Sequence, residues 1–147
     1  MTDVPAHITI ERDIAASPAA VFEAWTDAGS FARWFGTEAV QIPAESLDFV
    51  AEPGRTWTAQ MVLPDGNTID WTGEFREVEA PSRLVFTLTD QPADDARAAV
   101  TVDLSPTDEG THLRMSQETP GFTLEQQEGL VAGWQGFLDV LAEIAAG

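Results

Sequence analysis

The sequence predicts an α+β domain in which a seven-stranded, curved antiparallel sheet wraps a long C-terminal helix, with two short helices between strands 1 and 2. Three observations carry this. Short alternating segments follow one another from residue 46 to 119, joined mostly by turns too tight for crossover helices, so neighbouring strands run antiparallel. A stretch near the end, 124–146, keeps its apolar groups at helical spacing. Between the first strand and the rest lie two brief helical patterns with their own start and stop signals.

The first strand is "HITIERDIAA" (7–16), with Ile8, Ile10 and Ile14 inward. Ser17 caps a helix and Pro18 suits its first position; Val21, Phe22, Trp25 and Ala28 then recur at helical spacing until Gly29. Ser30 opens a second helix through Phe31, Trp34 and Phe35, closed by Gly36. The remaining strands are "SLDFVAE" (46–52), "RTWTAQMVL" (55–63), "TIDWTGEFREVEA" (68–80), "RLVFTLT" (83–89), "AAVTVDLSP" (98–106) and "THLRMSQET" (111–119). "PDG" at 64–66 reads as a hairpin turn, because Pro presets φ and Gly takes the positive-φ position. Gly73, inside a strand, calls for a bulge or for room beneath the opposing helix. Thr123 and Gln126 form a capping box ahead of the last helix, whose stripe is Leu130, Trp134, Phe137, Leu138, Leu141 and Ala145. At ~1.5 Å per residue it is long enough to cross a sheet. Gly129, Gly133 and Gly136 edge that stripe and are read first as close backbone approach to the sheet, with space left open beside it as the alternative. No repeat, low-complexity tract or linker appears, so residues 1–147 read as one domain.

Composition excludes several functions. With no cysteine, disulfides, thiolate zinc sites and cysteine nucleophiles are ruled out. A formal charge of -18, from 25 acids against seven arginines and no lysine, argues against nucleic acid and anionic membrane surfaces. No uninterrupted apolar run approaches the ~20 residues of a membrane span. The N-terminal "MTDVPAHITI" lacks the basic and apolar regions of a secretion signal, so the expected address is cytoplasmic.

A sheet with alternating patterning must bury one face, and the last helix is the element long enough to cover it. The curved sheet and helix leave a wedge, and Phe22, Trp25, Phe31, Trp34 and Phe35 of "SPAAVFEAWTDAGSFARWFG" (17–36) are placed to plug or line one end of it.

Eight pieces in order carry a resemblance over nearly the whole chain: "SPAAVFEAWTD", "RWFG", "EPGRTW", "MVLPDG", "TGEFREVEAPSRLVFT", "VTVDL", "GTHLRMS" and "GWQGFLDVL". With this order of elements the chain resembles the helix-grip fold of the START-like (SRPBCC) superfamily. More narrowly, it is similar to bacterial proteins homologous to the C-terminal domain of the activator of Hsp90 ATPase. The resemblance implies a cavity between sheet and helix that takes an apolar ligand, and dimerisation is compatible with it. Two departures stand out: Trp34-Phe35 replaces a common Trp-Trp, and Gln117 stands near a position often held by an inward histidine. An amide cannot exchange protons usefully, which lowers an acid–base role there. The separate N-terminal domain of the eukaryotic activator is not among the matching pieces, which weakens a chaperone contact.

The chemistry in the residues points the same way. His7 opens the first strand, and His112 alternates with Leu113 and Met115 and so faces outward. There is no zinc-protease motif, phosphate loop or nucleophile elbow. Asp70 and Glu74 share the face opposite Trp71 and Phe75, and Asp94 and Asp95 sit in a loop without clustered ligands, so no metal site, cofactor or catalytic residue is assigned. The inward candidates for a ligand are Trp25, Phe31, Trp34, Phe49, Trp57, Met61, Trp71, Phe75, Phe86, Met115, Trp134 and Phe137, with Gln117 and Gln127 able to orient a carbonyl or hydroxyl. Filled core is the competing reading of each ring. The expected function is non-catalytic binding of a lipid, polyketide or aromatic metabolite. The alternatives are a chaperone-linked protein-interaction module and an aromatase/cyclase-like enzyme on a hydrophobic substrate.

Overall fold

The computed structural model describes residues 6–36, 41–90, 93 and 97–147. Strand β1 (His7–Ile14) leads into α1 (Pro18–Thr26) and α2 (Ala28–Gly36). Strands β2 (Thr56–Val62), β3 (Thr68–Glu79), β4 (Arg83–Leu88), β5 (Ala98–Thr107) and β6 (Gly110–Glu118) follow, and then α3 (Leu124–Ala146). The sheet runs β1-β6-β5-β4-β3-β2, every pair antiparallel, so β1 returns to pair with β6 at one edge. The curved α+β architecture is the one the pattern predicts.

The strand count differs. Among the described residues the sheet has six strands, because 46–52 does not form a ladder. Residues Ala44–Ser46 make a single 3₁₀ turn, and Asp48 forms one isolated bridge to Thr58. The Ser46 hydroxyl accepts the Gln60 backbone N–H at 3.1 Å, taking a ladder bond that a seventh strand would have made. Phe49 is buried all the same.

The boundary between the first two helices also shifts. Asp27 both ends α1, its N–H bonding the Glu23 carbonyl, and starts α2, its carboxylate accepting the Ser30 N–H at 2.9 Å. An aspartate at this position satisfies an orphan donor at the N-terminus of α2, so Ser30 and Gly29 fall inside α2. The box at Thr123 and Gln126 forms as the spacing predicts, each side chain accepting the other's backbone N–H.

Helix α3 packs on α1, α2 and β1 through Trp134, Leu138 and Leu141. By length and composition alone, with a mean hydropathy of 1.2, it passes as long and apolar enough to cross a membrane, although no uninterrupted apolar run within it approaches that length. Its outer side nevertheless carries exposed Glu125, Glu128, Asp139 and Glu143. Gly129, Gly133 and Gly136 lie on that outer side as well, with nothing within 4 Å of where a Cβ would stand. This corrects the expectation of close packing: the inward stripe is supplied by Leu130, Trp134, Leu138 and Leu141, which rotates the glycines outward.

Gly73 does mark a close approach, but to the neighbouring strand rather than to a helix. A Cβ there would stand 1.7 Å from the Thr87 carbonyl oxygen and 2.6 Å from Nε1 of Trp57. The Trp57 indole reaches between β3 and β4 and donates to the Thr87 carbonyl at 3.0 Å, while the Thr87 hydroxyl accepts the Glu74 N–H at 2.9 Å. The sheet's bulge lies further on, between Phe75 and Glu77.

The aromatics of α1 and α2 build a continuous cluster. Trp25 meets Trp34 edge-on at 5.1 Å, Trp34 meets Phe31 at 5.0 Å, and Phe31 stacks on Phe49 at 4.2 Å. Such geometries add to the area these rings bury. Trp34 donates its indole N–H to the Ala24 carbonyl at 2.8 Å, which ties α2 back to α1.

Candidate ligand-binding cavity

Beside this cluster lies a cavity of about 430 Å³. Its apolar walls come from Phe35 at the end of α2, Trp71 of β3, Leu88 of β4, and Leu130, Trp134 and Phe137 of α3. Pro120 and Phe122, in the link from β6 to α3, and Ala98 at the start of β5 complete them. The polar lining is Thr89, Asp90, Arg97 and Gln117, with Asp90 and Arg97 flanking the β4–β5 connection. The volume falls within the ~300–1,000 Å³ usual for small-molecule sites.

Of the residues expected to meet a ligand, the structure brings Trp71, Gln117, Trp134 and Phe137 together on this cavity. Trp25, Phe31, Trp34, Phe49, Trp57, Met61, Phe75, Phe86 and Met115 are buried in the core and outside its lining. Gln127 is also elsewhere: at the start of α3 it donates from Nε2 to the Thr119 hydroxyl at 2.8 Å. The residues that sequence periodicity did not select are Phe35, Leu88, Thr89, Asp90, Arg97, Ala98, Pro120, Phe122 and Leu130. Leu130 stood in the helical stripe and Phe35 in the aromatic stretch. The others come from strand ends and connections, where no period marks an inward side.

Gln117 is the central polar group. The alternation of β6 sends Thr111, Leu113, Met115 and Gln117 inward, and Gln117 is 4% exposed. Its Oε1 accepts the Trp134 indole N–H at 2.7 Å. Since an indole N–H only donates, this bond fixes which end of the amide is oxygen. The Trp71 indole N–H, by contrast, is closed off and without an acceptor among the described residues.

The histidines stand apart from this lining. His7 is exposed at the start of β1. His112, 40% exposed on β6, is held by two carboxylates of β1: Nδ1 lies 2.7 Å from Asp13 and Nε2 3.0 Å from Glu11. Its pKa is raised, chiefly by the hydrogen bond to Asp13 and then by that to Glu11. Asp70 and Glu74 are exposed. No group of three or more metal-ligating side chains is found among the described residues, and Asp94 and Asp95 lie outside them.

A sheet gripping a C-terminal helix, with an aromatic-lined cavity between them, is the architecture of START-like ligand-binding and activator-like modules. The family model described as "Activator of Hsp90 ATPase homolog 1-like protein" matches residues 15–146, and the chain belongs to that family. Among solved structures, an AHSA1-like protein from Aeromonas hydrophila is 29% identical over 95% of this chain and 92% of its own, with a TM-score of 0.77. An AHSA1 protein from Silicibacter pomeroyi is 26% identical over 96% and 98%, with a TM-score of 0.80. A protein from Chromobacterium violaceum, 24% identical over 97% and 99%, shares the fold with a TM-score of 0.84. No functionally curated protein matches the chain.

Proposed function

We propose that this protein binds an apolar small molecule, such as a lipid, polyketide or aromatic metabolite, in the cavity between sheet and α3, without transforming it. The observation that supports this most is the wall itself: about 430 Å³ bordered by Phe35, Trp71, Trp134 and Phe137, with a deeply buried amide among them. Large ring faces with a few placed polar groups are how small-molecule sites are built. The location of His112 on the outer face favours a carrier or sensor over an acid–base enzyme.

Native mass spectrometry on protein purified from its own source tests this directly, together with tryptophan fluorescence titration using the flat hydrocarbon 2-isopropenylnaphthalene. A co-purifying apolar mass supports the reading. So does saturable quenching that is lost in folded Trp71→Ala and Trp134→Ala variants. No bound mass and no quenching would overturn it and return these rings to plain core, leaving a protein partner as the function to pursue.

A further inference from the structure

We infer that the cavity selects a neutral, flat ligand bearing a carbonyl oxygen, and that the Gln117 side-chain amide donates to that oxygen. This rests on the ligand-binding reading and goes further by naming the chemical class.

The inference begins with an unbalanced hydrogen-bond count. Gln117 offers one acceptor and two donors. The acceptor is used by Trp134 at 2.7 Å, and this fixes the amide's direction. The two Nε2 donors have no acceptor among the described residues, although the side chain is more than nine-tenths buried and lines the cavity. Nε2 is not sealed within the protein: its donors open onto the cavity, where water or the oxygen of a ligand can accept from them. Trp71 differs, because its indole N–H is sealed from the open space; the Gln117 amide is on the lining.

The kind of acceptor follows from what surrounds it. Phe35, Trp71 and Phe137 present rings, which favour a flat ligand body. A carboxylate is disfavoured, since the amide is neutral and the chain carries a net charge of -18. Asp90 and Arg97 on the lining are of opposite sign and do not make an anion site together. A ketone, ester or quinone-type oxygen accepts from an amide without bringing charge into the cavity.

Two probes of nearly one shape isolate this contact: the ketone 2-acetylnaphthalene, and 2-isopropenylnaphthalene, which has a methylene in place of the oxygen. Both are titrated into the wild type and into Gln117→Met, and the ketone-to-hydrocarbon affinity ratio is compared between the two proteins. The comparison cancels the probes' different hydration. The ratio should fall about fivefold in the variant, the equivalent of one neutral hydrogen bond. In the wild type, nuclear magnetic resonance should show the Gln117 side-chain N–H signals moving downfield with the ketone and not with the hydrocarbon. That measurement decides the matter even if Gln117→Met does not fold. Hydrocarbon binding with unmoved Gln117 signals and an unchanged ratio would overturn this inference and leave the cavity reading standing. Binding of neither probe would overturn both.

Discussion

Glycine-to-alanine substitution should stabilise the fold on the outer side of α3 and destabilise it at Gly73, because the space that meets the added methyl differs. At Gly133, on the outer side of α3, an added methyl meets nothing within 4 Å, and the same holds at Gly129 and Gly136. Glycine in a helix interior costs about 0.8–1 kcal/mol relative to alanine, mostly through the freedom of the unfolded chain. With open space at each position, the triple variant should gain roughly 2–3 kcal/mol. For a domain of this size that raises Tm by about 5–10 °C. At Gly73 the same methyl would stand 1.7 Å from the Thr87 carbonyl oxygen, half the 3.4 Å at which ordinary contact begins. Relief requires β3 and β4 to part, which breaks the bond from Trp57 Nε1 to that carbonyl and leaves a fully buried donor. The expected loss is about 3–5 kcal/mol, against a typical total of about 5–15. Urea unfolding followed by circular dichroism separates the two cases, with an unchanged slope in the stabilised triple variant. A triple variant no more stable than wild type would refute the exposed-face assignment of the α3 glycines. A well-folded Gly73→Ala of wild-type stability would refute the close approach of β3 to β4.

Three further outcomes are expected. His112, with its raised pKa, stabilises the fold while protonated; that contribution is complete below its ordinary value of about 6.5 and is lost as pH rises through the raised value. The stability difference between wild type and His112→Gln should therefore shrink as pH rises above about 6.5, and a difference that grows instead would contradict the clamp by Glu11 and Asp13. Thr123→Ala removes the hydroxyl that accepts the Gln126 N–H, and denaturation should show a loss of about 1 kcal/mol. Arg12 joins β1 to α3 through Asp139 at 2.7 Å and Gln135 at 2.6 Å; because Asp139 is exposed, Arg12→Met should cost no more than about 1 kcal/mol, and less in high salt.

Helix α3 was legible to its ends, because the capping box at Thr123 and the stripe through Leu141 are local signals. So were the five strands from β2 to β6: alternation tells inside from outside in β2, β3, β5 and β6, and β4 reads as a short apolar run buried on both sides. What could not be read was decided between segments. The stretch 46–52 alternates like a strand, yet a serine hydroxyl competes for the ladder bond at Gln60. Asp27 caps α2 because its carboxylate reaches Ser30, an option that Ser30 itself equally offered in sequence. Gly73 announced an anomaly, but the cause lies in Trp57 and Thr87, remote in sequence and joined only by the sheet. In the cavity, Trp71, Gln117, Trp134 and Phe137 fall on readable inward faces, whereas Thr89, Pro120 and Phe122 belong to connections whose course depends on the whole fold.

Trp134 is where packed core and open cavity meet, and this accounts for the concentration of rings in so acidic a chain. On one side its indole lies 5.9 Å from Trp25 and 6.1 Å from Trp34, within the cluster made by α1 and α2. On the other its N–H holds Gln117. Rigid rings fix the position of Trp134, and Trp134 fixes the direction of the amide. A flexible aliphatic core could fill the same volume but would orient the donor less well. On the proposed ligand-binding reading, the aromatics that do not touch the cavity would bear on binding through position, since their packing holds Trp134 and Trp134 holds the Gln117 amide.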